Sequence, residues 1–244
     1  MVQTVIESKK PKIKGKANVA FVLDVTGSMQ DCLENLKSSL LELSGQIATI
    51  SAEQYGAAEP DISYNALGYR DLTTDEPKEY MIVKRDSAFT KSLDDLKNFF
   101  SEEKMNAAGG GDEPESALDA LAIAAREMAW DQPVRMLVLF TDASTKKTLH
   151  KTTTGGSQLD EAESMSVMLE ELTSRKIRVI IFGPPNVDEF MKIGTLNNCQ
   201  YKPMEKGTET LKNFKDELLF KEEIVKLIAR SVSQSASTAV PFTL

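Results

Sequence analysis

One histidine, two cysteines and one tryptophan in 244 residues leave little material for several kinds of chemistry. A serine hydrolase would have to pair Ser28 with His150, and no Gly-x-Ser-x-Gly elbow surrounds that serine. His150 itself, in a polar loop, is assigned no role. Cys32 and Cys199 fit no metal or redox spacing. Without an export signal they are expected to be buried thiols in a reducing compartment. No apolar run approaches the roughly 18 residues of a membrane span. Residues 1–16, with Lys9, Lys10, Lys12 and Lys14, hold no signal-peptide core. The expectation is a cytoplasmic chain with no membrane contact. A P-loop is also missing. Net charge is −8 and pI about 4.9, which disfavours nucleic acid and anionic lipid as partners and serves solubility.

What is present is a regular alternation of apolar strands and helix-period segments. No Gly/Ser- or Pro-rich linker, internal repeat or low-complexity stretch breaks it, so one domain is expected over 17–231, with tails at 1–16 and 232–244. Residues 17–23, 136–140 and 178–182 are nearly continuous in apolar residues, the pattern of strands buried on both faces. Further strands are expected at 62–69, 80–84 and, weakly, 199–201, with 62–69 and 80–84 close enough to pair antiparallel. Helices are expected over 29–50, 91–103, 114–130 (with Pro114 at its first position), 159–175, 187–194 and 209–231. The fold class is α/β: a Rossmann-like three-layer sandwich whose six-stranded sheet is mostly parallel, has one antiparallel edge strand and carries helices on both faces. In such sheets the functional crevice lies at the carboxyl ends of the central strands.

Three acidic segments fall at that end. The first strand runs into Asp24-Val-Thr26-Gly-Ser28-Met, the central strand into Thr141-Asp142, and between them lies Gly109-Gly-Gly-Asp112-Glu113-Pro114-Glu115. Two carboxylates in a partly desolvated crevice repel each other unless one is protonated or a cation intervenes. The hydroxyls of Thr26 and Ser28 add neutral oxygen donors, and an all-oxygen set of this kind suits Mg²⁺, with Mn²⁺ or Ca²⁺ as alternatives, better than Zn²⁺. The triple glycine lets the Asp112 loop approach closely. Each piece alone has a plainer reading: Asp24 or Ser28 as a helix cap, Asp142 as a turn residue, Asp112 as the cap of a helix beginning at Pro114. Arg70 and Asp71 follow the second strand and are expected at the same crevice if that strand runs parallel to the first, in the surroundings of the metal or against a partner; a surface ion pair is the alternative. Glu113 is a third such candidate.

These segments resemble the metal-ion-dependent adhesion site of von Willebrand factor A domains, and the resemblance covers roughly residues 17–230. It implies a metal at the top of the sheet held by Asp24 (directly or through water), Thr26, Ser28, a third-loop residue and, through water, Asp142. Integrin-type members place threonine in the third loop, where this chain offers Asp112. The GGGDEPE variant resembles an intracellular branch found in bacterial stress and tellurite-resistance-type proteins and in some protist kinases. The extra carboxylate implies tighter metal binding and a cation less electrophilic towards a partner's carboxylate.

The expected function is divalent-metal-dependent binding of another protein, without catalysis, inside the cell, with a bacterial stress- or phosphorylation-linked complex as the expected setting. A haloacid-dehalogenase-type phosphohydrolase is the enzyme alternative, but it needs an acid two residues after its nucleophilic Asp, where Thr26 stands, and a late pair such as Asp-Asp, which is not seen after residues 178–182. A metal-free scaffold is the third reading.

Overall fold

The computed structural model describes residues 16–55, 61–72, 82–110 and 113–205. The helix expected at 209–231, the tail at 232–244, residues 1–15 of the other tail, and Asp112 lie outside the described residues. Along the chain come β1 (Lys16–Asp24), a 3-10 turn (Gly27–Met29), α1 (Gln30–Tyr55), β2 (Asp61–Tyr69), β3 (Ile82–Lys84), α2 (Leu93–Phe100), a second 3-10 turn (Glu103–Met105), α3 (Ala117–Glu127), β4 (Val134–Phe140), α4 (Glu161–Ser174), β5 (Ile177–Gly183), α5 (Asp188–Gly194) and β6 (Gln200–Pro203).

The sheet order is β3-β2-β1-β4-β5-β6. Strands β2, β1, β4, β5 and β6 are mutually parallel, and the short β3 lies antiparallel to β2. The unbroken apolar run of β1 follows from its position. Val19, Phe21 and Leu23 pack on one face with Leu33, Leu36 and Leu40 of α1 and Leu96, Phe99 and Phe100 of α2. Ala20 and Val22 pack on the other with α3, α4 and α5. A strand covered on both faces has no position at which a polar side chain is cheap, so alternation disappears. The buried polar side chain inside the run, Asn18, is bonded through both ends of its amide: its Nδ2 donates to Ser63 Oγ at 2.8 Å and its Oδ1 accepts from the backbone of Asp131 and Gln132 at 3.0 and 2.9 Å.

Helix starts follow local chemistry where it is strong. Asp160 and Glu163 close a capping box at α4, and Ser92 Oγ accepts from Asp95 N to cap α2. Helix α3 is the exception. It begins at Ala117 rather than at Pro114, because Glu115 is drawn into a parallel bridge with Thr145: its N–H donates to Ser144 O at 3.0 Å and its carbonyl accepts from Lys146 N at 2.8 Å. A residue bonded sideways in this way cannot enter a helical turn. The reading of Asp112 as the cap of a helix beginning at Pro114 falls with it.

The chain turns to one side of β1 for β2 and to the other for β4, so the order reverses between β1 and β4. That is where a parallel α/β sheet opens a crevice beyond its strand ends.

Candidate metal centre

Register decides which side chains meet there. Leu23 of β1 lies opposite Phe140 of β4, so Asp24 and Thr141 sit level at the ends of their strands. Thr141 Oγ1 donates to Asp24 Oδ2 at 2.7 Å. The other carboxylate oxygen, Oδ1, accepts from the backbone N–H of Thr26 at 3.0 Å and from its hydroxyl at 2.6 Å, a short turn closed by the aspartate side chain. Thr26 Oγ1 lies 3.1 Å from Ser28 Oγ, and Ser28 Oγ donates to Asp142 Oδ1 at 3.1 Å. Four expected site residues from two separate segments thus form one continuous chain of oxygens. Asp24 and Thr26 are buried, Asp142 is half-buried and Ser28 is exposed, so the chain leads from the sheet outward to solvent.

The glycine loop lies against this chain. Gly27 N donates to Gly109 O at 3.0 Å and Ala108 N to Val25 O at 3.0 Å. Gly110 has φ +75°, and a Cβ there would stand 2.8 Å from both Glu115 Oε1 and Thr26 Cβ. Only glycine fits between them.

The two carboxylates are out of their ordinary range. Burial pushes the Asp24 carboxyl up to about 6, against hydrogen bonds from Thr26 and Thr141 that pull it down, with the negative charge of Asp142 pushing the same way as burial. Burial also raises Asp142, opposed by the Ser28 hydroxyl. Among the described residues no group of three or more His, Cys, Asp or Glu side chains forms a metal cage. Among the described residues, the oxygens gathered here come from hydroxyls as well as carboxylates.

The remaining expected residues divide. Arg70 and Asp71 are both buried, which excludes the surface pair. Arg70 braces two loops, with Nε donating to Val25 O at 3.3 Å and Nη2 to Asn106 O at 3.1 Å. Asp71 receives Lys146 Nζ at 3.0 Å and Ser116 Oγ at 3.4 Å, so it ties β2 to α3 and to the loop after β4 instead of facing a partner. Glu113 is exposed.

Three residues at the crevice escaped the sequence reading. Thr141, fully buried, ties Asp24 to the loop that carries Asp142, since its Oγ1 also accepts from Ala143 N at 3.2 Å. Glu115 is a buried carboxylate beside Gly110 and Thr26. Tyr69 lies opposite Asp24, and its phenol is held well above its usual range by burial and then by the charges of Asp24, Glu115 and Asp142. Adjacency to Asp142 was the available signal for Thr141, and the second acid of Glu113-Pro114-Glu115 was the signal for Glu115. Tyr69 had none without the β1–β2 register. Replacing Thr141 with Val, which keeps the shape and removes the hydroxyl, is expected to weaken divalent-metal affinity about tenfold. Thr141→Ser should restore it. Calorimetric titration of the three proteins is the check.

Three solved structures of proximal thread matrix protein 1 from the mussel byssus superpose on this chain with TM-scores of 0.55, 0.57 and 0.53, at 14%, 14% and 16% sequence identity. The fold is that of a von Willebrand factor A domain. The match covers 88% of this chain and 46–47% of the mussel chains, so this chain spans about half their length. One of those structures has zinc in its metal-ion-dependent adhesion site motif. No family model and no curated protein sequence matches the chain. The A-domain likeness is therefore one of fold, carried by the sheet and its helices.

Proposed function

We propose that this A domain binds one divalent cation at the β1–β4 crevice and presents it to a protein partner. The observation that carries the reading is the oxygen chain Asp24–Thr26–Ser28–Asp142, in which Ser28 Oγ lies 3.1 Å from both Thr26 Oγ1 and Asp142 Oδ1, close to the spacing of neighbouring ligands around a small hard ion. In an octahedral Mg²⁺ shell with ligands at about 2.0–2.1 Å, adjacent oxygens stand about 2.9 Å apart. Ser28, Thr26 and Asp142 would hold the ion. Asp24, whose two oxygens are engaged by Thr26 and Thr141, would orient the hydroxyls and offset the charge from below. Such a cation supplies positive charge at the surface of an acidic protein. Asp112 remains our third-loop candidate, and the buried Glu115 adds negative charge beside the same loop.

The metal is Mg²⁺ in our reading, although a mussel structure holds zinc in its motif. Zn²⁺ prefers nitrogen and sulfur ligands, and the residues gathered here offer oxygen alone. We further propose an intracellular setting, supported by two buried cysteines, neither of which is in a disulfide. Among the described residues no helix is long and apolar enough to cross a membrane.

Binding is favoured over phosphoryl chemistry because Asp24 has no exposed surface from which an oxygen could attack a substrate, and both its oxygens already accept hydrogen bonds. Calorimetry with Mg²⁺ tests the reading. The wild type should bind, and Ser28→Ala should lose affinity by about a hundredfold. Absence of heat from the wild type at millimolar Mg²⁺ would favour a metal-free scaffold.

A further inference from the structure

At the amino ends of the strands, opposite the end that carries the oxygen crevice, the chain forms a second hollow. It lies between the turn from α4 to β5 and the turn from α5 to β6, and its volume is about 540 Å³. Small-molecule sites commonly run from about 300 to 1,000 Å³. Buried Leu172 and Ile177 give it an apolar wall, and Asn198 and the buried Cys199 line it from the second turn.

Its charge is opposite to that of the whole molecule. Among the described residues that line it none is acidic and two are cations, Lys176 and Arg178, in a chain of net charge −8. Neither has a carboxylate partner among the described residues. The neighbouring charges are already matched. Arg175 and Arg126 share Glu171, at 2.9 and 3.1 Å. Arg135 Nη1 donates to Arg175 O at 2.9 Å, so the carboxyl end of α4 has a cation of its own. The carboxyl ends of α4 and α5 are each equivalent to about half a negative charge, and Lys176 and Arg178 outweigh them by about one unit.

The walls are set without a ligand. Lys176 N donates to Thr173 O and Cys199 N to Leu196 O, both at 3.0 Å, which closes the two turns. Val179 N donates to Cys199 Sγ at 3.3 Å and ties the second turn to β5. Lys176 and Asn198 both have left-handed backbone, at φ 55° and 65°. Asparagine adopts it readily, whereas lysine does so at a cost of about 1 kcal/mol that glycine would avoid. Burial raises the Cys199 thiol, against the bond from Val179 and the charge of Arg178, so the guanidinium is near enough to act on the sulfur.

We infer that this hollow binds a small phosphate monoester with an apolar body, Lys176 and Arg178 taking the phosphate and Leu172 and Ile177 meeting the body. The charge count selects the head group. A phosphate monoester carries about −1.5 to −2 charges at pH 7 and matches two cations, where a carboxylate would leave one unanswered. Nucleic acid is a poor fit, because the rest of an acidic chain repels an extended polyanion. The site does not depend on the metal reading, since it lies at the other ends of the strands and shares no residue with the crevice.

The test titrates phenyl phosphate into the full isotope-labelled chain, without divalent metal, and follows the backbone amide resonances. Saturable shifts are expected at Lys176, Val179 and Asn198 with a Kd on the order of 1 mM, and none at Gly27 and Ser28. Lys176→Asn combined with Arg178→Gln should weaken binding at least about tenfold, and asparagine suits the backbone at 176. On the wild type, phenol, which has the same body and no charge, should bind at least about tenfold more weakly. No saturable shift in the wild type, or shifts confined to other residues, would overturn the inference. So would unchanged affinity in the double variant, or phenol binding as tightly as phenyl phosphate.

Discussion

Asp24→Asn is expected to stabilise the metal-free protein at pH 8 by up to about 3 kcal/mol and to abolish its response to Mg²⁺. The carboxyl is fully buried, and burial lifts it from 3.8 to about 6. A folded state that holds its proton more tightly than the unfolded chain gains from that proton. The contribution of Asp24 is therefore fully present below about pH 4 and is lost as pH rises through about 6. At pH 8 the metal-free crevice carries an ionised, desolvated group with Asp142 nearby. Asparagine removes the charge and can keep the contacts: its Oδ1 accepts from Thr26, and its Nδ2 donates to Thr141, whose hydroxyl then turns to Ala143 O, 3.2 Å away. Urea unfolding in chelator at pH 5 and pH 8 checks this. The difference between the two proteins should appear at pH 8 and shrink at pH 5. A variant destabilised equally at both values would mean that Asp24 serves packing and not charge.

Gly110→Ala is the second large effect. At φ +75° an L-residue costs about 1 kcal/mol before any contact is counted. The new methyl would also stand 2.8 Å from Thr26 Cβ, 3.0 Å from Thr26 Cγ2 and 2.8 Å from Glu115 Oε1. Thr26 cannot retreat freely, because its hydroxyl and amide are both bonded to Asp24. A loss of about 2–4 kcal/mol is expected, together with at least a tenfold loss of Mg²⁺ affinity, since the displaced hydroxyl belongs to the oxygen chain. Denaturant unfolding and calorimetry read the two effects separately. Stability within about 0.5 kcal/mol of wild type would show that the glycine loop does not press on Thr26.

Much of this arrangement can be read in the linear chain because it depends on local pattern. The runs that became β1, β4 and β5 are apolar on both faces, so their type and burial follow from composition alone. The residues just beyond them, Asp24, Thr26, Ser28 and Asp142, are fixed by the strand ends. What escaped depends on contacts between distant segments. Pro114 suits the first turn of a helix, yet the bridge between Glu115 and Thr145 postpones α3 to Ala117. Arg70 and Asp71 suit a solvated pair, but Lys146 comes in from the β4–α4 loop to neutralise Asp71 inside the molecule. Thr141 acquires its role from the register of β1 on β4, which no single segment encodes.

These are long-range effects, and they set the charge balance of the crevice. Asp24, Asp142 and Glu115 cluster near one buried phenol, while the nearby cations Lys146 and Arg70 are engaged, with Asp71 and with backbone carbonyls respectively. An unbalanced group of oxygens open to solvent at Ser28 is a demand for positive charge.

The most direct measurement is an anomalous difference map from a crystal of the full chain soaked in Mn²⁺, an ion with the oxygen preference of Mg²⁺ and a strong anomalous signal. A single peak is expected within about 2.3 Å of Ser28 Oγ, bounded also by Thr26 Oγ1 and Asp142 and lying above Asp24. A map with its peak elsewhere, or with Ser28 and Asp142 still bonded to each other and no density between them at saturating Mn²⁺, would contradict the account.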